Sequence, residues 1–95
     1  MIKDVPILLS EISILPLKPK DGLLGFASFV LNNQFYFGEV AIRSCLDGRI
    51  RLLYPVKKLS NGKDVPLYHP ITKKAGDKIQ EIIASEWEAL MRLKC

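Results

Sequence analysis

The sequence predicts an α+β fold, a small antiparallel β-meander sheet with one C-terminal α-helix packed on it, and three observations predict it. Four turn dipeptides, Asp21-Gly22, Asn32-Asn33, Asp47-Gly48 and Asn61-Gly62, punctuate the first two thirds of the chain, and such pairs reach the positive φ values that tight hairpins need. Between them lie runs rich in branched and aromatic residues, the composition of strands. After them the apolar residues switch to a helical period.

The elements follow in order. Met1 to Leu17 is apolar enough to raise a leader or a membrane span, but Lys3, Asp4 and Glu11 interrupt it, Pro6 and Pro16 break it, and no small-residue cleavage pattern follows. It reads as structural. Residues 1–10 are expected to be an N-terminal extension or extra strand, with Val5 to Leu9 adding an edge strand or completing a dimer core; residues 11–95 form a single domain. Strands are expected over Ile12 to Leu17, Leu23 to Leu31, Gln34 to Ile42 and Arg49 to Tyr54. Alternation in the third is imperfect: it puts Phe35, Phe37 and Ala41 on one face and Tyr36, Val40 and Ile42 on the other, so both faces want cover. From about Thr72 to Lys94 a helix is expected, its apolar stripe formed by Ile79, Ile82, Ile83, Trp87 and Leu90. Lys74, Asp77, Lys78, Glu81, Glu88 and Arg92 make a solvated opposite face. Thr72 suits an N-cap, and Gly76 weakens the first turn. The helix covers one face of the sheet. The other has no partner in the chain beyond the N-terminal arm, which points to a homodimer.

With 95 residues the chain makes one domain with a thin core, and self-association would help it. Its 48% apolar and 25% charged residues are globular composition, not that of disorder. Cys45 and Cys95 stand far apart and read as free thiols of a reducing, cytoplasmic compartment. Catalytic chemistry has no foothold. The single histidine, His69, precedes Pro70 and reads as a hydrogen-bonded structural residue; with two remote cysteines it lacks the spacing of a zinc site. There is no Walker-type loop or GxGxxG turn, and Glu86 and Glu88, two apart on a helix, point away from each other. The expectation is a non-enzyme with no cofactor, no metal, no small-molecule substrate and no membrane attachment.

Charge is more informative. The formal net charge is +4, and the segment Lys57 to Lys78 holds six lysines (Lys57, Lys58, Lys63, Lys73, Lys74, Lys78) against Asp64 and Asp77, while basic and acidic residues balance elsewhere. A localised basic patch attracts polyanions. Lysines also solubilise strand edges and helix ends, and charge alone does not choose between these readings.

Tyr54-Pro55-Val56-Lys57-Lys58, then the Asn61-Gly62 turn, His69-Pro70-Ile71 and Lys78-Ile79-Gln80 resemble the core signature of the SpoVG family. Ala27-Ser28-Phe29-Val30-Leu31 and the strand from Phe35 into Val40-Ala41-Ile42-Arg43 resemble its second and third strands, so the similarity covers roughly Glu11 to Leu90. The resemblance implies a small antiparallel sheet with a C-terminal helix, dimers formed through strand pairing, and a bacterial regulator that binds DNA and also RNA, linked to sporulation, septation and virulence genes, without catalytic activity. Carried onto this sequence, the nucleic-acid contacts fall on Lys57, Lys58, Thr72, Lys73, Lys74 and Lys78. One departure stands out: where many members have a Thr-Arg pair leading into the helix, this chain has Ala75-Gly76, and Lys73-Lys74 occupy positions usually small and hydroxylic.

Lysine is a flexible point charge suited to phosphate, whereas arginine forks onto guanine edges. A lysine site therefore favours backbone contact with weak sequence specificity, assisted by the N–H groups of the helix start. The alternative is a protein-interaction module in cell division or spore formation, whose lysines meet an acidic partner and which uses exposed strand edges, Trp87 or Met91.

Overall fold

The computed structural model describes residues 6–93. The chain forms the expected α+β arrangement. β1 (Leu9–Lys20), β2 (Leu23–Leu31), β3 (Phe35–Ser44) and β4 (Ile50–Leu53) lie side by side in chain order as an antiparallel meander. β5 (Val56–Lys58) and β6 (Asp64–Pro66) pair only with each other, and α1 (Lys73–Leu93) follows. Among the described residues, no helix is long and apolar enough to cross a membrane.

All four dipeptides turn the chain, in two ways. Asp21 (φ 52°) and Gly22 (φ 85°) are left-handed at both central positions, as a two-residue hairpin requires, and Asn32 (φ 50°) and Asn33 (φ 58°) are left-handed too, in a connection that Gln34 lengthens to three residues before Leu31 pairs with Phe35. At Asp47-Gly48 and Asn61-Gly62 only the glycine is left-handed. There Cys45 N–H donates to Arg49 O at 2.7 Å and Leu59 N–H to Lys63 O at 2.8 Å, closing three-residue loops.

The uneven alternation of β3 has a local cause. Phe29 pairs with Phe37 but Ala27 with Val40, so Gly38 and Glu39 together oppose Ser28, with Glu39 at φ 58°. One extra residue inverts the alternation. The expected division of faces is thereby corrected: Phe37 joins Val40 and Ile42 toward the helix, and Ala41 turns to the other face. β1 behaves likewise at Glu11 (φ 48°), where Ser10 pairs with Val30 and Ser13 with Ser28. That bulge sets Leu9 beside Ile12 and Ile14 against the core.

β1 is also longer than expected, running through Pro16 and Pro19, which an edge strand tolerates because one side of its backbone is unpaired. Leu8 N–H donates to Asn32 Oδ1 and Asn32 N–H to Leu8 O, each at 2.8 Å, clasping the strand's start to the β2–β3 turn. The segment expected as a separate strand thus continues into β1 from Leu9; Met1 to Val5 lie outside the described residues, as do Lys94 and Cys95. Cys45 is a free thiol.

α1 crosses one face of the sheet. Ile79 and Ile83 are buried with Ala27, Phe29, Val40, Ile42 and Leu52, and Trp87 is half-buried beside them. Each such isoleucine contributes about 1.5–3 kcal/mol of burial. Gly25 admits β1 closely: a Cβ there would stand 2.5 Å from the Leu15 carbonyl oxygen.

Candidate nucleic-acid interface

After Tyr54, Pro55 removes a backbone donor and the chain leaves the main sheet. β5 and β6 pair as Val56 with Pro66, Lys57 with Val65 and Lys58 with Asp64, and every residue of both strands is exposed. Leu67 N–H to Pro55 O at 3.1 Å closes the root of this ribbon, and Lys63 N–H to Asn61 Oδ1 at 3.0 Å orders its tip. No ladder joins the ribbon to the larger sheet. Lys57 and Lys58 therefore ride on an arm.

Tyr68 ties that arm down. Its ring stacks on Phe37 with centroids 4.8 Å apart, Phe37 meets Phe29 edge-on at 5.6 Å, and Tyr54 meets Tyr68 edge-on at 6.2 Å. The Tyr68 hydroxyl donates to the Gly38 carbonyl. Because Tyr68 lies between β6 and α1, this aromatic ladder holds both the ribbon root and the helix start against the core. Burial raises the Tyr68 hydroxyl pKa, opposed by the Gly38 bond. Burial, helped by Tyr68, pushes Tyr54 up to about 12, and the Tyr54 Oη is buried with no hydrogen-bond partner among the described residues.

The helix start is built as its sequence suggests. Thr72 Oγ1 accepts from Ala75 N–H at 3.1 Å and Thr72 O from Gly76 N–H at 3.0 Å, making Thr72 the N-cap. Its hydroxyl is engaged in capping. Lys73 and Lys74 occupy the first turn, where there is no acidic residue, and Lys78 lies one turn on, on the face of Lys74. Among the described residues no ion pair engages Lys57, Lys58, Lys73 or Lys78; Lys74 has an interaction of its own. The candidate residues thus fall into two groups, Thr72, Lys73, Lys74 and Lys78 at the helix start and Lys57 with Lys58 on the ribbon, linked through the Tyr68 segment. His69 is exposed, its Nδ1 3.0 Å from the Pro70 carbonyl, an acceptor that calls for the proton on Nδ1.

Two residues matter that sequence reasoning did not single out for a role. Tyr68 is one. Gln80 is the other: Leu52 N–H donates to its Oε1 at 3.0 Å and its Nε2 donates to Ile50 O at 2.7 Å. This amide takes the place of a neighbouring strand along the outer edge of β4. Beside it runs an open groove of about 1050 Å³ lined by Trp87 and by Arg49, Arg51, Arg92, Asp77, Glu81 and Glu88. Its mixed charge suits a phosphate chain poorly. At the adjoining turn Arg49 pairs with Asp47 at 2.7 Å, which holds the Asp47 carboxyl below its usual range.

Comparison with protein-family models and with curated proteins finds no match to this chain.

Proposed function

We propose that the protein is a non-enzymatic nucleic-acid-binding regulator that grips the phosphate backbone of DNA, and of RNA, with Lys57, Lys58, Lys73, Lys74 and Lys78 around the Thr72-capped helix start. The observation that carries this reading is the pair of lysines, Lys73 and Lys74, in a first helical turn that itself holds no acidic residue. A cation at the positive end of a helix costs about 0.3–1 kcal/mol, whereas an anion there is stabilising. A phosphate bound at the first turn relieves that conflict, and the helix N–H groups add to the attraction. The ribbon carries Lys57 and Lys58 outward, where they extend the contact along a polyanion. The resemblance to the SpoVG family supports a cytoplasmic bacterial role in gene regulation linked to sporulation or septation, exercised as a homodimer. Two lysine regions on one ligand would raise avidity where their spacing matches.

Fluorescence anisotropy with short duplex DNA, single-stranded DNA and RNA tests the reading: binding at low salt with little dependence on sequence is expected, and no binding to any of the three refutes it. A second reading, an interaction module with an acidic protein partner in cell division or spore formation, draws on the exposed Val56, Leu59, Val65, Leu67 and Ile71 beside the lysines. Partners retained after nuclease treatment favour that reading, and partners lost on treatment exclude it.

A further inference from the structure

The face of the sheet turned away from α1 carries one unbroken apolar row. Leu15 pairs with Phe26, Phe26 with Ala41 and Ala41 with Leu53, so a single cross-strand line spans all four strands. Leu15 is 62% and Leu53 45% exposed. On one side of this row lie Lys20, Leu23, Arg43 and Arg51, paired in register; on the other lie Ser13 and Ser28, with the exposed Glu39 beside them on β3.

The edges of the same sheet offer little to a partner strand. At the β4 edge the Gln80 amide already occupies Leu52 N–H and Ile50 O. At the β1 edge Pro16 and Pro19 lack donors, and register shifts fall between Ser10 and Ser13 and between Pro16 and Lys20. An apolar face between two guarded edges is suited to packing face against face.

We infer that two copies of this chain dimerise through this outer face, sheet on sheet, with the two-fold axis running along the Leu15–Phe26–Ala41–Leu53 row. The inference rests on the homodimer reading above and specifies its surface, which is the face and not a strand edge. Charge selects the axis. A two-fold parallel to the strands would lay β4 over the partner's β1 and set Arg51 against the partner's Lys20. A two-fold along the row lays each strand antiparallel over its own copy, so that each residue of the row meets its own copy and Arg43 comes over the partner's Glu39, toward the other end of β3. Area allows it. β1 to β3 run about 30–40 Å and β4 about 13 Å, which at a spacing of about 4.8 Å gives a face of about 550 Å² in projection, and its pleated accessible surface approaches the roughly 800 Å² per partner of a stable pair.

Sedimentation equilibrium in the absence of nucleic acid tests this on wild type, L15D and L53D, and on the variant with Lys57, Lys58, Lys73 and Lys78 changed to Ala. Wild type and the lysine variant are expected to be dimers, and L15D and L53D monomers with unchanged circular dichroism. Wild type found monomeric, or folded L15D and L53D found dimeric, overturns the inference. Should the charged variants fail to fold, Leu15→Cys in a Cys45→Ser, Cys95→Ser background decides. A bis-maleimide reaching about the 10 Å between packed sheets should link two copies through position 15, and Leu59→Cys on the ribbon should link far less. Equal linking at both positions, or none at 15, contradicts the packing. Since the lysine variant separates dimer mass from ligand binding, failure of the nucleic-acid reading leaves this result intact.

Discussion

β2 and β5 both enter antiparallel pairs closed by a turn containing glycine or asparagine, but their surroundings differ. β2 has a strand on each side and α1 across one face, with Ala27 and Phe29 fully buried. β5 has one partner, and its three residues are all exposed. An isolated two-stranded hairpin is marginal in water, so the ribbon owes its position to Pro55, Leu67 and the Tyr68 ladder and not to a core of its own. Two tasks are thereby divided within one small chain. The sheet and α1 supply stability, and the ribbon with the helix start supplies charge at places where local stability gains nothing from it.

Truncating one side chain in each region puts that division under the greatest strain. Ile83→Ala, at a fully buried position, should cost about 2–5 kcal/mol in urea unfolding, whereas Val65→Ala on the ribbon should stay within about 0.5 kcal/mol. Similar costs at the two sites would mean that the ribbon belongs to the core. Gln80→Leu comes next: it leaves Leu52 N–H and Ile50 O unpaired at the β4 edge and should cost about 1–3 kcal/mol. Amide exchange at Leu52 should accelerate with it, and unchanged protection there would remove Gln80 from its role. Smaller still, Lys73→Glu should raise stability by about 0.3–1 kcal/mol through the helix dipole while weakening nucleic-acid binding, a divergence a purely solubilising lysine would not produce.

The least effect at neutral pH is expected at Tyr54. Its folded-state pKa of about 12 lies above the ordinary tyrosine value, so the unfolded chain ionises first as pH rises. Its contribution is fully present below about pH 10 and is lost as pH climbs toward 12. Tyr54→Phe should flatten that alkaline decline and, by removing a buried hydroxyl without a partner, leave neutral-pH stability unchanged or slightly higher. Melting temperatures across the alkaline range check both.

The meander and the helix were legible because their signals are local: Asp-Gly and Asn-Asn pairs state a turn by residue type, and the spacing of Ile79, Ile83 and Trp87 states a buried stripe. The bulges at Glu11 and Glu39 were not, because glutamate rarely takes a positive φ and only the register of the partner strand imposes it. The ribbon's separation from the sheet was hidden for a similar reason. Val56 to Lys58 reads like any short strand, and Pro55 hints at a break without saying where the chain goes next. At the candidate site, charge made Lys57, Lys58, Lys73, Lys74 and Lys78 visible, and residue type suggested Thr72 as a cap. Tyr68 and Gln80 act through Gly38, Leu52 and Ile50, each roughly thirty residues away in sequence, and no short-range pattern encodes that.

The central claim, that the lysines of the ribbon and helix start hold phosphates, is tested most directly by the salt dependence of nucleic-acid affinity in wild type and in the variant with Lys57, Lys58, Lys73 and Lys78 changed to Ala. The slope of log affinity against log salt should be steep for wild type and shallower in the variant by about 0.7–0.9 for each phosphate that is no longer neutralised. A wild-type affinity indifferent to salt, or a variant with the same slope and affinity as wild type, would contradict it.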